Sequence, residues 1–261
     1  MNKKIPKQVA ELLNTLAKEC QSVLGDTFVG FYVHGSLAMG CFNHELSDVD
    51  FLVVVNSPLH SETRKNLMAV LIQHSRKAPP KGFEMSVVIE NHMQNFVYPT
   101  PFEMHFRSDQ IEKYKAAPPY GTENGLDPDL AAHATITKER GICLLGKPIN
   151  EVFPDIPKEY YLKSIIRDSE ESIQNIMNGV NSGTCSVPAY GVLNLCRVLA
   201  FIDDGLITSK QEGGEWALKN LPKKYSNTIR QALNKYTGSD KLQEVEVSVL
   251  KDFARYAKEK W

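Results

Sequence analysis

The hydrophobic residues in the first half of the chain alternate between helical spacing and short continuous runs. Val9, Leu12, Leu13, Leu16 and Val23 recur every three or four residues and predict a helix over about 6–24. The run 27–33 is rich in aromatic and β-branched residues, which indicates a buried strand. Further strands are predicted over 47–55 and 83–90, with a helix between them over about 61–77 that has Ser61 as its N-cap.

The second half of the chain has a different pattern. A short strand over 102–106, a loop over 116–125, a helix over 127–140 and an extended segment over 143–148 precede a linker marked by Pro154 and Pro157. Helical spacing then dominates, over about 159–179, 188–204, 214–221, 225–236 and 242–259. The pattern predicts an α+β protein with two domains, 1–157 as an α/β domain with a mixed sheet and 158–261 as an all-helical bundle.

Composition narrows the class of partner. The 261 residues include 30 basic and 31 acidic ones, so the formal net charge is -1. This balance argues against a nucleic acid or an anionic membrane as partner. The five cysteines include no CxxC pair, and neither a signal peptide nor a long apolar run is visible. We therefore expect a cytoplasmic protein without disulfides or a membrane span.

Gly35 and Ser36 follow the first predicted strand directly. A glycine at this point allows the backbone to approach a phosphate closely, and the start of a helix offers unpaired N–H groups to an anion. An ordinary turn explains the same dipeptide. The pair is therefore a weak signal when taken alone.

Asp48 and Asp50 lie at the start of the next strand, two residues apart. Side chains two apart on a strand point to the same face, so the two carboxylates are expected to lie together. Like charges repel unless a cation lies between them, and Mg²⁺ prefers a few carboxylates together with substrate phosphates. The alternative is a pair of solvated acids at a strand start.

Glu84 interrupts the apolar strand predicted over 83–90. If this strand lies beside the one that carries Asp50, Glu84 joins the carboxylate pair. A third acid there could bind the metal or deprotonate an acceptor hydroxyl. The alternative is an exposed acid on an edge strand.

These residues together resemble the signature of the DNA polymerase β-like nucleotidyltransferase superfamily. Four further segments are similar to the aminoglycoside 3''/9-adenylyltransferases, which modify streptomycin and spectinomycin. They are Phe102-Glu103-Met104-His105-Phe106, Asp127-Pro128-Asp129-Leu130-Ala131, Leu193-Asn194-Leu195-Cys196-Arg197, and Ser209-Lys210 followed by Trp216-Ala217. The resemblance covers about residues 10–258 and makes 1–157 a nucleotidyltransferase domain.

The resemblance implies a role for each matching residue. Ser36 and Ser47, with Gly35, would contact the nucleotide phosphates, and Asp48 and Asp50 would ligate Mg²⁺ together with the catalytic base Glu84. In the helical domain, the residues that would approach the triphosphate are Arg197, Lys210 and Tyr236. In the first domain, Asp129 would contact the nucleoside.

The residues themselves leave some of these roles open. Arg197 lies on an apolar helix and needs an anion, which is either a carboxylate such as Asp203 or a phosphate. Lys210 is either a phosphate contact or a solvated surface lysine. The segment 107–109 carries no tryptophan where well-known family members have one that packs on the antibiotic. Acidic candidates for a cationic acceptor are Glu84, Glu103, Asp168 and Glu171.

The predicted function is Mg²⁺-dependent transfer of AMP from ATP to a hydroxyl of an aminoglycoside or aminocyclitol, by a monomeric enzyme. One alternative keeps the chemistry and changes the acceptor to another small metabolite or a protein hydroxyl. Another is a non-catalytic nucleotide-binding protein, against which the three intact acids Asp48, Asp50 and Glu84 weigh.

Overall fold

The computed structural model describes residues 5–116, 123–179, 181–239 and 242–261. The chain forms two compact units that divide between Pro157 and Lys158. Most of the loop predicted over 116–125 lies outside the described residues. None of the described helices combines the length and apolarity needed to cross a membrane.

The first unit contains seven strands and seven helices among the described residues. In chain order they are α1 (Lys7–Leu24), β1 (Phe28–Val33), α2 (Gly35–Ala38), β2 (Val49–Val55), α3 (Ser61–Ser75), β3 (Phe83–Ile89), α4 (Glu90–Gln94), β4 (Thr100–Phe102), β5 (Met104–Arg107), α5 (Ile111–Ala116), β6 (Gly125–Asp127), α6 (Leu130–Arg140), β7 (Ile142–Gly146) and α7 (Ile149–Val152).

The main sheet has the strand order β5-β3-β2-β1-β7. Strands β2 and β3 are parallel, whereas the other neighbours in this sheet are antiparallel. The prediction of a mixed sheet is therefore confirmed. The parallel pair needs a crossover connection, which α3 provides.

The predicted strand over 102–106 divides at Glu103. β4 pairs with β6 in a separate two-stranded sheet, and β5 joins the edge of the main sheet. Because 125–127 is taken up by β6, the helix predicted from residue 127 begins only at Leu130. The N-cap prediction for α3 is also wrong, since the helix includes Ser61 and its N-cap His60 makes no side-chain capping hydrogen bond.

The main sheet buries apolar side chains on both faces. One face packs Phe31, Phe51 and Phe83 against α1 and α3. The other face packs residues such as Leu52 and Val88 against α4, α6 and α7. Since side chains alternate along a strand, residues 50 and 84 belong to the face that carries Leu52 and Val88. The polar end of this face forms the candidate site.

The second unit is built from five described helices and one short strand pair. They are α8 (Lys158–Asn178), β8 (Thr184–Cys185), α9 (Ala189–Asp204), α10 (Lys210–Asn220), α11 (Ser226–Tyr236), β9 (Val245–Glu246) and α12 (Val247–Lys258). Helix α9 is buried along most of its length and forms the centre of the apolar core. The antiparallel pair of β8 and β9 was not predicted in a domain expected to be all helical.

Candidate active site

The parallel register of β2 and β3 places two acids side by side. Asp50 and Glu84 are Cα partners in this pair, so their side chains share one face. Asp48 lies in the loop just before β2, which begins at Val49. One carboxylate oxygen from each of the three residues lies within 4.8 Å of the other two. The strand of Glu84 therefore lies beside the strand of Asp50, as Glu84 requires in order to join the carboxylate pair.

Gly35 lies directly against this cluster. The backbone N–H of His34 donates to the Asp50 carbonyl at 3.0 Å, which brings the turn after β1 next to the start of β2. Gly35 has φ +60, and a Cβ built on it would lie 1.9 Å from Asp50 Oδ2. A side chain at position 35 would therefore clash as well as strain the backbone.

The two predicted phosphate contacts differ in their surroundings. The Oγ atom of Ser36 is buried and has no hydrogen-bond partner among the described residues. The Oγ atom of Ser47 accepts the Asn43 N–H at 3.1 Å, and the Ser47 N–H donates to the Asn43 carbonyl at 2.8 Å. Ser47 thus closes the loop before β2, and Ser36 presents the polar atom that still needs a partner.

The carboxylate cluster fits the implied Mg²⁺ ion. Mg²⁺ holds oxygen ligands at about 2.0–2.1 Å, so oxygens on one ion lie roughly 3–4 Å apart. The Asp48, Asp50 and Glu84 oxygens lie within 4.8 Å of one another, an upper limit just above this range. Three oxygen donors with formal negative charge are the ligand chemistry that this ion prefers. No other group of three candidate metal ligands occurs in the described residues.

Helix α6 borders the site where its His133 contacts His34, which lies between β1 and α2. The rings of His34 and His133 lie 4.8 Å apart, and His34 is 3% exposed. Burial, with a smaller effect of His133, holds the pKa of His34 well below its usual value, so the ring is neutral. Asp129 occupies the N-cap position of α6, and its backbone N–H donates to Asp127 Oδ1 at 2.8 Å. Asp129 thus lies two residues after the β6 strand, on the α6 side of the unit.

Arg197 is held by polar groups of the second unit. Its Nε–H donates to the Thr208 carbonyl at 3.1 Å. Burial opposes the charge, but Tyr161, Asp168 and Tyr190 nearby raise the pKa of Arg197 above its usual value. Asp203 instead pairs with Lys260 at 3.6 Å. The interpretation of Asp203 as the partner of Arg197 is therefore wrong.

Lys210 and Tyr236 lie at helix ends in the same unit. Lys210 is the first residue of α10, after the N-cap Ser209, whose side chain forms a capping box with Glu212. The Lys210 Nζ atom lies 4.2 Å from the centroid of the Tyr190 ring, a cation–π geometry. Tyr236 ends α11 and packs, half-buried, against the apolar core of the unit.

Of the acids considered for a cationic acceptor, Glu103 is not available. It is 6% exposed, and its Oε2 accepts from Arg64 at 2.7 Å and from the Leu59 N–H at 2.9 Å. Asp168 Oδ2 accepts from Asn194 at 2.7 Å, and Glu171 is exposed on α8.

Comparison with known protein families covers both units. A sequence model of the nucleotidyltransferase domain matches residues 13–140. A model of the aminoglycoside adenylyltransferase C-terminal domain matches residues 151–260. The chain thus joins a nucleotidyltransferase domain to an aminoglycoside adenylyltransferase C-terminal domain. It is therefore a nucleotidyltransferase, and the resemblance noted in the sequence is confirmed.

Named relatives align over almost the whole chain. Spectinomycin 9-adenylyltransferase of Staphylococcus aureus is 29% identical over 271 residues, covering 99% of this chain and 95% of the relative. Aminoglycoside (3'') (9) adenylyltransferase of Klebsiella pneumoniae is 24% identical, covering 98% and 94%. A crystal structure of an Enterococcus faecalis spectinomycin adenyltransferase, solved with ATP and spectinomycin, has a TM-score of 0.75 at 24% identity, covering 96% of this chain and 98% of that one. The fold of this chain is thus shared with that enzyme.

Proposed function

We propose that the chain transfers AMP from ATP to a hydroxyl of an aminoglycoside or aminocyclitol, in a reaction that needs Mg²⁺. The observation that carries this proposal is the cluster of Asp48, Asp50 and Glu84 beside Gly35, with carboxylate oxygens within 4.8 Å of one another. Two of these acids serve a metal and nucleotide, and the third lies close enough to act on an acceptor bound next to them.

Glu84 is the proposed general base. It accepts the proton of the acceptor hydroxyl while the oxygen attacks the α-phosphorus of ATP in line with the leaving group. The new bond joins that oxygen to the α-phosphorus, and the bond from the α-phosphorus to the bridging oxygen of pyrophosphate breaks. Asp48 and Asp50 would hold the Mg²⁺ ion, which would supply positive charge that stabilises the phosphate oxygens and the leaving pyrophosphate.

The remaining residues hold the nucleotide. The Ser36 hydroxyl, buried and without a partner in the described part of the chain, suits a phosphate oxygen. Ser47 supports the same loop, and Asp129 is the proposed nucleoside contact. In the second unit Arg197, Lys210 and Tyr236 are the proposed contacts of the triphosphate. A guanidinium suits this role because its planar donors match phosphate oxygens.

The names of the relatives support the acceptor class. They act, by those names, on spectinomycin or on aminoglycosides. The formal net charge of -1 supports a small acceptor over a nucleic acid, and we further propose that the chain acts as a monomer.

Pyrophosphate release from Mg-ATP tests this function directly. The purified chain is incubated with Mg-ATP and spectinomycin and, separately, with Mg-ATP and streptomycin. Mass spectrometry of the products then detects the addition of AMP. Asp50→Asn should abolish release, whereas the exposed Asp26→Asn, a matched loss of one carboxylate, should leave it unchanged. AMP addition to another metabolite or to a protein, with none on either antibiotic, would favour the alternative acceptors. Nucleotide binding without turnover on any acceptor would favour a non-catalytic protein.

A further inference from the structure

We propose that His105 is an acceptor-binding residue, which presents one ring nitrogen to a hydroxyl of the acceptor beside Glu84. This inference rests on the proposed function and adds to it one specific contact on the acceptor side of the base.

Strand register places His105 on the same face of the sheet as Glu84. In the antiparallel pair of β3 and β5, His105 is the Cα partner of Ser86, and Arg107 is the partner of Glu84. Glu84 and Ser86 are two apart on β3, and paired residues of neighbouring strands share a face. His105 is therefore the diagonal neighbour of Glu84, on the side away from Asp50.

The imidazole of His105 is held by two neighbours. Ser86, which is 2% exposed, lies with its Oγ 2.9 Å from His105 Nδ1. The Phe102 ring lies with its centroid 6.0 Å from that of His105. A Cβ on Gly125 would lie 2.7 Å from the Phe102 ring, so β6 leaves Phe102 little freedom to move away. The histidine is thus fixed by one hydrogen bond and one aromatic contact.

The hydrogen bond to Ser86 uses Nδ1 and leaves Nε2, which points in another direction, for a further partner. His105 is half-buried, so part of the residue is open to solvent. Burial lowers the pKa of His105, against the opposing effects of Glu84 and Asp127. A neutral imidazole can bond a hydroxyl without repelling a cationic acceptor.

Ser86 and His105 have no role in the nucleotide chemistry, and this arrangement gives each of them one. Ser86 acts as a positioning residue for the ring, and His105 touches the substrate. An acceptor with several hydroxyls could then give one to Glu84 and place a second against His105, which fixes the reactive oxygen relative to the base.

Calorimetry with spectinomycin and, separately, streptomycin tests the contact without turnover, on the full chain saturated with Mg²⁺ and a non-hydrolysable ATP analogue. His105→Ala should weaken antibiotic binding about 10-fold, which corresponds to about 1.4 kcal/mol. His105→Gln, which keeps a hydrogen-bonding group, should recover part of it, and Ser86→Ala should lose less. The affinity of each variant for the ATP analogue should stay within about twofold of the wild-type value. His60→Ala, which changes an exposed histidine, is the control and should bind both the analogue and the antibiotics within about twofold of the wild type.

Steady-state kinetics provide the second measurement. His105→Ala should raise the KM for the antibiotic far more than it lowers kcat, and should leave the KM for ATP unchanged. Wild-type antibiotic affinity in His105→Ala, or an equal loss of affinity for nucleotide and antibiotic, would overturn the assignment. Pyrophosphate release by the wild-type chain tests the proposed function separately, so a failure of one inference is distinguishable from a failure of the other.

Discussion

Gly35 and Asp50 are in such close contact that position 35 has no room for a side chain. A Cβ would lie 1.9 Å from Asp50 Oδ2 and 2.7 Å from Asp50 Cγ. The same glycine adopts φ +60, in the left-handed region. The carboxylate at the proposed metal site therefore depends on the absence of one methyl group.

We expect Gly35→Ala to reduce turnover about 100-fold, because the new methyl group displaces the Asp50 carboxylate. Gly25→Ala is the matched control, since Gly25 also has a positive φ, of 53, but a Cβ at that position would have no neighbour within 4 Å. Gly25→Ala should lose only about 1–3 kcal/mol of stability from backbone strain and keep its activity. Equal activity in the two variants, measured by pyrophosphate release, would show that the clash is relieved elsewhere.

The carboxylate cluster should make stability depend on Mg²⁺. Without an ion, the like charges of Asp48, Asp50 and Glu84 repel one another, so Asp50→Asn should raise the metal-free Tm slightly. Mg²⁺ should raise the Tm of the wild type by mass action and have much less effect on Asp50→Asn. Thermal unfolding with Mg²⁺ and with a chelator measures both effects. Asp26→Asn should respond to Mg²⁺ as the wild type does, and an unchanged Mg²⁺ response in Asp50→Asn would argue against the metal site.

The Arg64–Glu103 ion pair should be important for folding. The two side chains are 15% and 8% exposed and lie 2.7 Å apart. Arg64→Met would leave the Glu103 carboxylate buried without its main partner, and we expect a loss of about 3–5 kcal/mol in the free energy of unfolding by urea. Lys115→Met, which removes an exposed pair with Glu112, should lose less than about 1 kcal/mol. The double variant Arg64→Met/Glu103→Leu should recover part of the loss, and no recovery would mean that Arg64 acts mainly through its packing.

Two of the five cysteines should resist thiol reagents in the folded protein. Burial, with a smaller effect of Glu19, raises the pKa of Cys20 to about 12, and burial also raises the pKa of Cys196. Because the thiolate is the reactive form, both should label only after unfolding, whereas the half-buried Cys41 and Cys185 should label in the native state. Mass spectrometry of labelled peptides identifies the sites. Rapid native labelling at Cys20 would indicate frequent opening of α1.

The sequence was informative where one residue pattern carries the signal by itself. The alternation of Asp48, Val49 and Asp50 predicted a carboxylate pair, and the apolar runs predicted the two strands next to it. Whether Glu84 joins that pair depends on which strands are neighbours and on whether they run parallel, which only long-range packing decides. Ser86 could have been found, because it lies two residues from Glu84 and shares its face.

Other features depend on contacts that no local pattern reveals. Glu103 was considered for a cationic acceptor, but Arg64, 39 residues earlier, takes its carboxylate. The partner of Arg197 could not be identified from the sequence. Asp203 is the nearer candidate along the chain, but it pairs with Lys260, and Arg197 donates to the Thr208 carbonyl. The contact between the tilted rings of His133 and His34 depends on where α6 packs, which the local sequence does not show.

The parallel register of β2 and β3 has a consequence for how such a site tolerates change. The Val49 N–H donates to the Gly82 carbonyl at 3.0 Å, which fixes the alignment at the polar end of the strands. The crossover through α3 can therefore gain or lose surface residues while the acids stay paired. A shift of β3 by a single residue would instead turn Glu84 into the apolar layer occupied by Phe83 and Met85, and would expose those two side chains where the base now lies.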